Sequence, residues 1–142
     1  MYLIGDHPEG FELNFCIDMN YSSEVRQRFA FPYGAGEFTS DVLGVVSGKA
    51  DDRTLNVWTR FQVQVIDGII SSGRFQVFGC PHTLAAASWV AEWLEGRSAV
   101  ALRELDVRRL AETLEVPVEK LGKLLLIEDA LLECAQALED RT

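Results

Sequence analysis

Residues 73–96, GRFQVFGCPHTLAAASWVAEWLEG, hold the side chains best placed for chemistry. Cys80 stands where an alternating run, Arg74 to Phe78, gives way to a run rich in Ala and Trp, and His82 follows two residues on. With Cys80 at the N-cap, Pro81 at N1 and His82 at N2, the missing proline N–H costs nothing and the thiol faces the positive end of a helix dipole. That position lowers a cysteine pKa and favours the thiolate, which is both a nucleophile and a metal ligand. The plain alternative is a cysteine acting as a small buried hydrophobe. That alternative is the reading for Cys134, on the apolar face of the last helix, and non-function is also the reading for Cys16, on the polar side of its strand. Cys80 is separated from them by its corner position. His82 is balanced between a surface histidine at a helix start and a group that assists the thiol. Trp89 and Trp93, four apart on one helix, read as core.

The elements that must position this corner follow from periodicity. Phe11, Leu13, Phe15, Ile17 and Met19 alternate, which predicts a half-buried strand over 11–19. Tyr21-Ser22-Ser23 offers N-cap chemistry for a short helix, SEVRQRFA, stopped at Pro32 and followed by a glycine loop. DVLGVVSGKADD carries a short strand and a polar turn. Two alternating runs, 55–65 and 69–78, are joined at Asp67-Gly68, which predicts an antiparallel hairpin. After Cys80 the chain reads as helix: Pro81 to about Glu95 with Gly96 at C′, Ala99 to Leu105, Val107 to Leu114, and a last long helix from Pro117 to about Leu138. The fold class is therefore α+β, a small antiparallel sheet of three strands, joined by the N-terminal strand as a fourth if it pairs, packed against helices from the C-terminal half. Residues 1–20 read as an N-terminal extension and 21–142 as a single domain.

Composition bounds the function. Hydrophobic residues make up 48% and charged residues 25%, an ordinary globular balance, and the formal net charge is −9. This argues against a nucleic-acid surface and against docking on an anionic membrane. No apolar run reaches membrane-spanning length, and the first residues do not read as a signal peptide. Three cysteines at wide spacing, with no C-x-x-C, do not form a disulfide framework and suit a reducing cytoplasm. With His7 and His82 the only histidines, a complete zinc site is hard to build from one chain.

From Tyr21 to about Leu138 the chain resembles the NifU/IscU-type iron–sulfur cluster scaffold proteins. GRFQVFGC followed by TLAAASWVAEWLEGRS matches the family's strand, Gly-Cys corner and helix, with Glu92-Trp93 in place. Tyr21-Ser22, FPYGAG and IEDA (Glu128, Asp129, Ala130) match further family elements in order. The SufE-type sulfur acceptors share the fold and carry one reactive cysteine at a comparable corner. The resemblance implies a SufE/NifU-like fold and a cluster held by three cysteines, an aspartate and a histidine. Only the middle cysteine is present, at Cys80. The first cysteine position falls on Leu55, the aspartate on Val57, the third cysteine on Lys123 and the histidine on Gly122. The family's chaperone recognition segment is reduced to VPVEK: Pro117 and Lys120 match and Val118 replaces the second proline, which counts against chaperone binding.

An iron–sulfur cluster takes mostly thiolate ligands, four per two-iron cluster. One corner thiol and one imidazole, Cys80 and His82, make at most a weak metal site on one protomer. A lysine at 123 removes a ligand, and its ammonium beside Cys80 would stabilise a thiolate; the alternative is a solvated lysine. Three readings follow. The first is an assembly protein, not an enzyme, that accepts sulfur on Cys80 as a persulfide from a cysteine desulfurase, with Lys123 stabilising the thiolate and His82 auxiliary. The second is a scaffold that binds iron or a labile 2Fe–2S cluster across a homodimer or with a partner. The third is a silent adapter that binds a desulfurase or another assembly protein. A cysteine hydrolase ranks fourth, because no orienting third group is evident.

Overall fold

The computed structural model describes residues 2–4 and 21–141. Its centre is a four-stranded antiparallel sheet of order β1-β4-β3-β2, with β1 Tyr2–Ile4, β2 Val45–Asp52, β3 Val57–Ile66 and β4 Ile69–Gly79. The β3–β4 hairpin turns at Asp67 and Gly68, both at positive φ (52° and 78°), the paired left-handed geometry whose twist matches that of the flanking strands. Val57, Thr59, Phe61 and Val63 are buried on β3, and Phe75 and Val77 on β4, with polar residues between them. A register shift between Gln64 and Val65 moves Ile70 into the same buried set. The fourth strand is the short β1, paired with the end of β4 through Tyr2 and Gly79. The strand expected over 11–19, with Cys16, lies outside the described residues, as does His7.

The helices cover the apolar face. Helix α1 (Ser23–Ala30) is capped by Ser22, whose Oγ accepts from the Val25 N–H at 3.2 Å and donates to the Leu114 carbonyl at 2.8 Å. Helix α2 (Pro81–Leu94) lies on β4 and against α1, with Arg28 of α1 paired to Glu92 of α2 at 2.7 Å. Its first eight residues, Pro81 to Ser88, are buried on every side, and their small alanines allow the close fit. A short 3-10 segment (Ala99–Arg103) stands where a helix to Leu105 was expected, and α3 spans Val107–Thr113. The last helix does not begin at Pro117: a 3-10 turn, Val118–Lys120, precedes α4 (Leu121–Asp140). Proline fixes its own φ at the entry but does not set the pitch of the turn that follows.

Helix α4 crosses β2 and β3 at very short range. Gly48 on β2 makes this possible: a Cβ there would overlap the Ala130 carbonyl oxygen and lie 2.7 Å from the Cys134 amide nitrogen. Both obstacles are helix backbone, which cannot step aside without moving α4. Gly48→Ala is expected to lower stability by about 1–3 kcal/mol or more, as overpacking does. A denaturant melt that leaves the midpoint unchanged would show that α4 is not seated this closely.

Candidate functional site

The corner forms as its residue types dictate. Gly79 ends β4 directly beneath Thr83; a Cβ on it would come within 3.1–3.4 Å of that side chain. Cys80 is the N-cap of α2, extended at φ −88°, with Pro81 at the first helical position. Its carbonyl accepts from Leu84 N at 3.1 Å, and its Sγ lies 3.6 Å from Thr83 Oγ1. The sequence pointed to an accessible thiol, yet Cys80 is 9% exposed, recessed rather than open.

Two opposed effects set its charge. Burial pushes the thiol pKa up. The His82 side chain, the Thr83 amide and hydroxyl, and the Lys123 ammonium favour the thiolate and together prevail, bringing the pKa down to about 6. Cys134 shows the contrast: fully buried, its Sγ donating to the Phe61 carbonyl at 3.5 Å, it is pushed up to about 12, chiefly by burial. Cys134 is thus the packing residue that its place on α4 suggested.

His82 is not the surface histidine that one reading allowed. It is 6% exposed, its ring packs on Tyr21 at 4.6 Å between centroids, and its Nδ1 is buried without a hydrogen-bond partner. Lys123, half-buried in the first turn of α4, places its charge where Cys80 feels it. A Cβ on Gly122 would sit 3.8 Å from Leu55 Cδ1, so the turn between β2 and β3 meets the start of α4. Leu55 is 37% exposed, and Val57, two residues on, is buried in the core. Of the nearby carboxylates, Asp52 accepts from the Leu55 N–H at 3.0 Å and closes its own turn. Among the described residues no group of three or more His, Cys, Asp and Glu is arranged to hold a metal.

Two contributors escaped the sequence reading. Thr83 stands three residues after an N-cap, where a side chain reaches back to the cap, so its contact with Sγ was inferable. Tyr21 comes from a distant segment and gave no local signal. Trp89 and Trp93, read as core, are half-buried with their rings stacked at 6.1 Å; α2 is covered on all sides only over its first eight residues.

A sheet backed by helices, with one thiol at a strand-to-helix corner, defines the class. The NifU-like N terminal domain family matches residues 20–142, and the chain belongs to it. It is similar to the iron–sulfur cluster assembly scaffold protein IscU of Escherichia coli, 32% identical over 114 residues, covering 80% of this chain and 89% of that protein. Similarity to IscU of Rickettsia prowazekii is close behind, at 31% identity over 80% of this chain and 87% of the relative. Two crystal structures share the fold. FiSufU of Fervidobacterium islandicum gives a TM-score of 0.63 at 13% identity over 81% of this chain and 96% of that one. A NifU-like protein of Brucella abortus gives 0.54 at 18% identity over 68% and 80%.

With a pKa near 6, Cys80 is mostly thiolate at pH 7 while Cys134 is not. Iodoacetamide at pH 7 is expected to label Cys80 of the folded protein ahead of Cys134, with a rate that rises through about pH 6. Peptide mapping checks it. Lys123→Glu replaces attraction by repulsion, raises the Cys80 pKa and slows labelling at pH 6.5 by about threefold or more. Equal labelling of the two thiols would refute the electrostatic picture.

Proposed function

We propose that this protein is an iron–sulfur cluster assembly factor of the IscU/NifU type that accepts sulfur on Cys80. The observation that carries the reading is a single cysteine at the strand-to-helix corner, with a lysine, Lys123, at the position where the resemblance puts a third cysteine. A protonated lysine cannot ligate iron, but it holds an anionic sulfur. The partner is a cysteine desulfurase carrying a cysteine persulfide. The Cys80 thiolate attacks the outer sulfur of that persulfide, the donor's S–S bond breaks, and the donor departs as a thiolate. Cys80 is left as a persulfide, with no net oxidation or reduction. Lys123 steadies the anion before and after transfer, and His82 assists from beside it. The recess around Cys80 limits access to a donor presented by a docked partner, and shields the persulfide from stray thiols.

Incubation with a desulfurase and cysteine, followed by mass spectrometry of the intact chain, is expected to show the gain of one sulfur atom, mapped to Cys80. Cys80→Ser abolishes it and His82→Ala reduces it only modestly.

The 9% exposure of Cys80 favours a second reading, an adapter that binds a desulfurase or another assembly protein without taking sulfur. Complex formation with no sulfur transferred would establish that reading in place of the first. A third concerns the cluster as cargo. Leu55 and Lys123 leave one protomer short of ligands, so anaerobic reconstitution with iron and sulfide is expected to give no stoichiometric cluster on the monomer. Iron counting and visible absorption after desalting check this, and a cluster that appears only on a dimer would point to assembly across two chains.

A further inference from the structure

A groove lies on the other end of α2 from Cys80. Trp89 is nine residues and Trp93 thirteen residues past Cys80, roughly 13–20 Å along the helix axis. The groove has a volume of about 410 Å³ between α2, the linker 104–106 and α3, and is walled by Trp89, Trp93, Glu104, Asp106, Arg109 and Glu112. The four charged residues are exposed and the two indoles half-buried. Glu104 and Glu112 form no ion pair among the described residues, and Asp106 uses one oxygen to cap Arg108 N–H at 3.0 Å.

We propose that this groove docks a basic segment of a partner protein, seating an arginine or lysine side chain between the indole wall and the carboxylate rim. The chain already shows the pairing: Arg97 places its guanidinium 4.3 Å from the centre of the Trp93 ring, with Nε donating to the Trp93 carbonyl at 2.7 Å. Trp89 and Trp93 pack against the core on one side and line the groove on the other, and tryptophan is a typical anchor of binding sites. Three wall carboxylates, Glu104, Asp106 and Glu112, stand against Arg109 and against Arg97 over the Trp93 ring, so the rim keeps an excess of negative charge. The wider field agrees, since a net charge of −9 steers a basic partner inward and repels a second copy of this chain or an anionic ligand.

Calorimetry on the full chain tests this with an alanine-rich helical peptide bearing arginines along one face. N-acetylarginine amide serves as the small-cation probe and the glutamate version of the peptide as the control. Saturable binding of the arginine peptide alone is expected. Glu104→Lys with Glu112→Lys should weaken it by about tenfold. Asp51→Lys with Glu133→Lys, at exposed sites beside β2, makes the same change in net charge and should cost less than about twofold. Equal weakening by the two double variants overturns the proposal, because the attraction is then general. Binding of N-acetylarginine amide as tight as the peptide's also overturns it, in favour of a small-molecule site. No saturable binding of the arginine peptide at millimolar concentration overturns it outright. None of these outcomes depends on sulfur transfer at Cys80.

Discussion

The approach of α4 to the sheet at Gly48 is the constraint on which the site depends. Without a side chain at 48, the backbone of α4 at Ala130 and Cys134 settles directly on β2. That contact fixes the axis of a 20-residue helix, and a helix is stiff over this length. Its first turn therefore falls where the packing puts it, with Gly122 against Leu55 and the Lys123 charge within reach of Cys80. Cys134 is buried by the same contact, and burial chiefly pushes its pKa up.

The second device is the recess of the corner itself. Burial alone would make Cys80 a poor thiolate, as it does Cys134. The helix start supplies the Thr83 N–H and hydroxyl, His82 its imidazole and Lys123 a charge, and in a recess each acts with less screening than at an open surface. The same burial that opposes ionisation therefore strengthens the groups that favour it. Tyr21 completes the arrangement by packing on the His82 ring, and its own position is held by the Ser22 cap bonded to Leu114.

Helix α2 joins two chemically distinct ends. Its first half is buried on β4, α1 and α4 and carries the thiol. Its second half keeps Val90, Ala91 and Leu94 buried and places two half-buried indoles beside an acidic rim. A partner that reaches both ends would be held in one orientation at the thiol, since a remote contact contributes to placement.

How much of this was legible depends on the range of the interaction concerned. The β3–β4 hairpin followed from alternation and from Asp67-Gly68, the Cys80 cap from Gly-Cys-Pro, and the extent of α1 from Ser22 and Pro32. All are set by neighbours in the chain through backbone geometry and capping. The family resemblance marked positions 55, 122 and 123 as one cluster, and the folded chain brings Leu55 onto Gly122. Local pattern could not give exposure. Whether Cys80 is open or recessed, whether His82 is buried, and whether Trp89 and Trp93 are core or groove wall depend on which elements cover α2 along its length. That cover comes from distant segments, such as Tyr21 packed on His82 and Arg28 bonded to Ser88 and Glu92. The sequence by itself determined the β3–β4 hairpin, the caps and the chemistry available at the corner, because those are short-range. Only the tertiary structure decided the depth of the thiol and the charge around it, because burial and Coulomb terms sum over everything packed nearby.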